Sequence, residues 1–152
     1  MATPILFEDD VLRLLFHGET VDTIAQNVTT SPATTFYVSL LSGDPLVATS
    51  QNQTTNEIGY TGYARMPVPR TAAAWNVING TVAPEEIIEF AVVAGATGTQ
   101  RTATHFGVGT TLTGAGILLA SGALVPPIPI VDGAEPRIDN APLASRFPVD
   151  WI

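Results

Sequence analysis

Between residues 5 and 17 the apolar residues Ile5, Leu6, Phe7, Val11, Leu12, Leu14, Leu15 and Phe16 return at offsets of three and four. That is the spacing of one helical face, and it predicts a single short helix over residues 5–17. Glu8, Asp9 and Asp10 fall in its first turns, where acids favour the positive end of the helix dipole, and Gly18 follows as a C-terminal cap. Beyond Gly18 no segment sustains a helical period. Short apolar runs rich in β-branched residues take over, separated by Gly, Pro, Asn and Asp. They predict strands at residues 35–41, 60–68, 75–78, 87–93, 102–109 and 116–124. This spacing is that of a sandwich or barrel, so the expected fold is mainly β: a single β-sandwich, jelly-roll-like, with a short N-terminal helix. Helix content should stay below about a fifth, under the ~30–35% of an average domain.

Two stretches depart from the strand pattern. Residues 42–58 open on the turn Gly43-Asp44-Pro45 and continue polar without period, which predicts a long surface loop of the kind that usually contacts something. After Leu124 the composition shifts, because six of the 12 prolines lie between Pro126 and Pro148. Such a segment can be neither a helix nor a central strand. It nevertheless keeps Phe147, Val149, Trp151 and Ile152 at its end, more apolar side chains than a solvated linker needs. The expected organisation is a helix-plus-sandwich domain over residues 1–124 and an extended proline-rich C-terminal arm over residues 125–152. The arm packs on its own or neighbouring subunits, with Phe147, Val149, Trp151 and Ile152 as candidate partner-binding residues.

Composition narrows the function. The 152 residues are 45% hydrophobic and 13% charged, a balance that excludes a disordered polyelectrolyte and fits one domain. Fourteen acidic residues against six arginines and no lysine give a net charge of -8, which opposes phosphate neutralisation and argues against nucleic acid as a partner. No apolar stretch is long enough to span a bilayer, so no membrane is expected. The acidic start reads as mature structure rather than a signal peptide. Without cysteine there is neither a disulfide nor a thiolate nucleophile. The sequons at Asn27, Asn52 and Asn79 are discounted in so threonine-rich a chain.

The candidates for chemistry read more simply as structure. His17 and His105 have no second ligand at metal spacing; one suits a helix C-terminus and the other a hydrogen-bonded strand position. Gly107-Val108-Gly109 and Gly114-Ala115-Gly116 lack the strand–helix context of a dinucleotide loop and suit a tight turn between strands. Asp9 and Asp10 belong to the helix start. Glu85, Glu86 and Glu89 flank an apolar run as charges that discourage edge pairing. Ser121 has no evident base. No catalytic residue, metal ligand or cofactor is expected, and the chain is not expected to be an enzyme. Tyr60, Tyr63 and Trp75 are the one aromatic cluster that could form a sugar platform, their facing undecided.

The order of motifs is itself informative: Thr35-Phe36-Tyr37-Val38-Ser39-Leu40-Leu41 followed by Gly43-Asp44-Pro45; Glu57-Ile58 with Tyr60-Thr61-Gly62-Tyr63-Ala64-Arg65; Thr104-His105-Phe106-Gly107-Val108-Gly109; and Gly116-Ile117-Leu118-Leu119-Ala120-Ser121-Gly122-Ala123-Leu124. This order, from about Phe7 to Ile138, resembles a group of small virion proteins of tailed bacteriophages that are tail-fibre-like and in some phages serve as head decoration or cement proteins. The resemblance implies a structural virion protein that binds the outer capsid surface and stabilises the head. Its partners would be the major capsid protein and copies of itself, as a homotrimer. The long apolar tail departs from the plain ending of the group and suits an interlocked lattice. The alternative is a tail-fibre or tail-tip module binding a host surface receptor.

Overall fold

Helix α1 (Ile5–Phe16) forms where the helical period runs and stops one residue before the expected end. In the computed structural model, which describes residues 5–21, 32–95 and 101–139, its terminus is closed twice. Gly18 adopts φ 74°, and the N–H groups of His17 and Glu19 both donate to the Arg13 carbonyl, at 2.9 and 3.3 Å. The guanidinium of Arg70, 55 residues along, then donates to the carbonyls of Leu14 and Leu15. Burial there pulls the Arg70 pKa below its ordinary value.

The remaining elements are β1 (Thr35–Leu41), a 3-10 turn (Pro45–Val47), β2 (Met66–Pro69), β3 (Trp75–Ile78), β4 (Thr81–Pro84), β5 (Ile88–Glu89), β6 (Arg101–Gly109), β7 (Leu118–Ile130) and β8 (Arg137–Ile138). The fold is mainly β, as expected. A four-stranded antiparallel sheet has the order β2-β1-β6-β7, and β3-β4 and β5-β8 form two further antiparallel pairs.

Three expectations change. The strand expected over residues 60–68 begins at Met66, because Gly62 (φ 87°) turns the chain and residues 60–65 become a loop. The run 87–93 is a strand only at Ile88–Glu89; beyond it the backbone bonds to the segment before β8, with Phe90 N donating to Pro136 O and Val93 N to Ala134 O. The boundary expected between residues 124 and 125 falls inside β7, whose Ile128, Pro129 and Ile130 pair with Ala103, Thr102 and Arg101. Residues 125–130 and 137–138 are therefore in strands, while Phe147, Val149, Trp151 and Ile152 lie outside the described residues.

Proline placement follows from hydrogen-bond direction. β7 is an edge strand, and Pro126 and Pro127 fall in the register shift between Ala103 and His105, where no ladder bond is required of them. The same holds at the opposite edge. Arg70 N donates to Thr34 O (2.9 Å), so alternation points positions 67 and 69 of β2 outward, and both are proline. These prolines remove outward donors that would invite another strand.

One apolar cluster joins all the sheets to the helix: Phe36, Val38 and Leu40 from β1, Phe106 and Val108 from β6, Trp75 and Val77 from β3, Val82 from β4, Ile138 from β8, and Leu12 and Phe16 from α1. Phe16 meets Trp75 and Phe36 edge-on at 4.9 and 5.4 Å between ring centres. The β3–β4 hairpin docks through its turn. Asn79 and Gly80 both have positive φ (52° and 69°), and their N–H groups donate to the Asp9 carboxylate of α1. Asp9 thus serves a distant turn rather than its own helix start.

Candidate contact surface

Cross-strand pairs share a face, so the register assigns the side chains of the main sheet. Val38 pairs with Val108 and Leu40 with Phe106 on the core side; Tyr37 pairs with Gly109, Ser39 with Gly107 and Leu41 with His105 on the other. A solvated second face would be exposed, yet Ser39 and Leu41 are fully buried. What covers them is the long loop after β1, folded back over the sheet together with the turn between β6 and β7.

Gln53 is the centre of this loop layer and is fully buried. Its side-chain oxygen accepts from Thr111 N (2.9 Å) and Thr111 Oγ1 (3.0 Å), its amide nitrogen donates to Thr111 O (3.1 Å), and its backbone N–H donates to Ala115 O (2.7 Å). The space it fills exists because two strand and turn positions lack a Cβ. A methyl at Gly109 or at Gly116 would run into the Gln53 amide. Gly114 and Gly116 also take positive φ (77° and 48°) and serve the turn expected of them, whereas Gly107 and Gly109 lie within β6, where they permit close approach.

Beside Gln53 lies a buried ion pair. Arg65, 3% exposed, donates through Nε and Nη2 to the two Glu57 oxygens at 2.7 Å each, and through Nη1 to Thr111 O at 2.9 Å. The bond to Glu57, opposed by burial, raises the Arg65 pKa. Tyr63 Oη accepts from Leu40 N (3.1 Å) and donates to Glu57 Oε1 (3.1 Å). Burial first, and the Glu57 charge after it, push the Tyr63 hydroxyl well above its ordinary value. Every member is hydrogen-bonded, the condition under which a buried polar network rigidifies rather than weakens.

This rigid layer presents aliphatic groups outward. Val47 is 83% and Ile117 66% exposed, with Leu46 and Leu112 about half exposed, and a groove of about 460 Å³ runs between Thr54, Glu57 and Tyr63 on one side and Leu112 to Gly114 on the other. Exposed aliphatics on a fixed backbone suit contact with another protein surface.

The candidates singled out in the sequence are dispersed. His17 Nε2 lies 2.9 Å from Trp75 O and its Nδ1 3.1 Å from Glu19 Oε1. His105 Nδ1 lies 3.0 Å from Thr104 Oγ1 on β6. Ser121 sits on β7 opposite Gly107, with no histidine or carboxylate bonded to it among the described residues. No group of three or more His, Asp or Glu able to hold a metal occurs among the described residues. The aromatic cluster divides: Trp75 is in the core, whereas Tyr63 stacks on Phe90 and meets Tyr60 edge-on, and Tyr60 Oη donates to Ala91 O (2.7 Å). Gln53 and Glu57 were invisible as site residues in the sequence. The signal that could have marked them is the glycine spacing 107, 109, 114, 116, which predicts something packed against bare backbone.

Among known families, residues 15–145 match the one described as Podophage GP4 fiber I protein gp80. Among curated proteins none matches the chain.

Proposed function

The chain belongs to the Podophage GP4 fiber I protein gp80 family, which makes it a fibre-like structural protein of a phage particle, and on that premise we propose that it decorates the outer capsid surface and stabilises the head. The observation that carries this reading is the loop layer. A buried, hydrogen-bonded network ties together the two loops that carry Leu46, Val47, Leu112 and Ile117, and these exposed groups are aliphatic and uncharged. A receptor glycan is bound on exposed aromatic rings. Exposed aliphatic groups instead match a protein surface, here the major capsid protein, with basic patches on that partner complementing a chain of net charge -8. Copies of the chain associate as a homotrimer in this reading, held by the apolar C-terminal arm, and the role is structural rather than enzymatic.

The second reading, a tail-fibre or tail-tip module that binds a host surface receptor, is favoured by the fibre designation of the family. Gold-labelled antibody against the chain on intact particles separates the two: labelled heads support decoration, and label confined to tails overturns it. Titration of undecorated capsids with the Val47→Asp, Leu112→Asp protein addresses the surface itself. Occupancy falling at least tenfold supports the loop layer as the contact, and full occupancy overturns it.

A further inference from the structure

A second concavity lies on the opposite side of β1 from β6. β2 and β5 enclose a groove of about 170 Å³ whose walls include Val68, Pro69, Ile87 and Ile88 and whose rim carries Glu86 and Glu89. Its lining is apolar, and Ile87 is 46% exposed at its mouth. Neither rim carboxylate has an ion-pair partner among the described residues: Arg137, the register partner of Glu89, turns to Asp139 instead (3.2 Å). The groove is therefore an apolar slot with two open negative charges. Its β2 edge offers no outward N–H at Pro67 or Pro69, so an occupant is held by side chains rather than by strand addition.

We propose that this groove receives Phe147 from the C-terminal segment of a second copy of the chain, with Arg146 of that segment set against Glu86 and Glu89. The inference rests on the reading above that copies associate through the arm, and it names the place where the arm lands. Two observations select the occupant. A dry cavity of about 150 Å³ holds a benzene ring, so the slot is sized for one phenyl group. Beyond Arg137 the sequence contains one basic residue, Arg146, and it directly precedes Phe147-Pro148.

β8 runs antiparallel to β5, with Ile138 opposite Ile88, so the backbone leaves past residue 87 toward the start of β5. The contact joins copies whose net charge of -8 otherwise repels, and it does so through the one cation in that segment.

The test is sedimentation equilibrium of the full-length chain and its variants. Phe147→Ala and the double variant Glu86→Arg, Glu89→Arg should each weaken self-association at least tenfold. Adding Arg146→Glu to the double variant should restore it, a charge swap that a merely destabilised fold would not reward. If deletion of residues 146–152 abolishes association but Phe147→Ala leaves it unchanged, the arm joins copies elsewhere and the groove assignment is wrong. Deletion without effect on association overturns the groove and the arm-mediated trimer together. A monomer whose denaturation midpoint drops on Phe147→Ala shows that the ring binds within its own chain and overturns the second-copy assignment.

Discussion

The two faces of the four-stranded sheet are stabilised by different physics. Toward α1 and β3–β4 the sheet buries large apolar side chains, with Phe36, Val38, Leu40, Phe106 and Val108 meeting Phe16 and Trp75. On the other face the strands contribute Ser39, Gly107 and Gly109, and the covering layer is a loop held by Gln53, Glu57, Tyr63 and Arg65. The apolar face gains from area and is tolerant in direction. The polar face gains little net energy per bond, about 0.5–1.5 kcal/mol, but each bond requires one geometry. The first face makes the sheet stable and the second makes the loop rigid, which a contact surface needs because an ordered loop has less entropy to lose on binding.

The largest expected effect tests the apolar face. Trp75→Ala should lower unfolding free energy by about 3–5 kcal/mol, read from the urea midpoint, because it empties the site shared with Phe16 and Phe36. A smaller loss would mean that the rings of Phe16 and Phe36 collapse into the gap.

Gly109→Ala probes the other face. The added methyl meets the Gln53 amide, and overpacking of this kind costs roughly 1–3 kcal/mol. Combining it with Gln53→Ala should cost less than the sum of the two single changes, because the clash and its partner vanish together. A double-mutant cycle with no coupling would dissociate the loop from the sheet.

Alkaline titration sharpens the contrast further. Burial raises the Tyr63 hydroxyl above its ordinary value of 10.0, so the folded chain keeps a proton that the unfolded chain releases. The stabilisation is complete below about pH 10 and is lost as the pH rises through the folded value. Tyr63→Phe should flatten that alkaline decline while costing roughly 1 kcal/mol at neutral pH, since Leu40 N and Glu57 lose a partner. Denaturant midpoints measured across the alkaline range check both signs.

The smallest effect belongs to the outermost residue. Val47→Asp should change stability by no more than about 0.5 kcal/mol, because a side chain 83% exposed packs against little. A larger loss would show that the 3-10 turn is part of the layer's support and not only its display.

Some of this fold was legible in the sequence. Residues 35–41 and 75–78 read as strands with the bounds that β1 and β3 have, because alternation within a strand is written in neighbouring residues. Asn79-Gly80 was an equally local signal for the β3–β4 hairpin and was read only as a sequon; β4 went unrecognised for that reason. Residues 60–65 misled because Tyr60, Tyr63 and Arg65 have strand-like composition, while Gly62 turns the backbone and their polar ends find partners elsewhere. The proline-rich segment was rightly denied a central strand, yet the edge position that accepts it was not considered.

By itself, then, the chain determined a short helix, a β-rich body, a negative and cysteine-free surface, and turns wherever glycine and proline demanded them. These depend on interactions within a few residues and on totals that no fold alters. Only the tertiary structure decided that a polar loop closes the second face of the sheet. Gln53 meets Thr111 at a separation of 58 residues, and Arg65 meets Thr111 at 46. Whether such polar groups are buried and bonded or left in water depends on gaps opened by Gly109 and Gly116, and a gap exists only once the strand and turn that carry those glycines are folded against the loop.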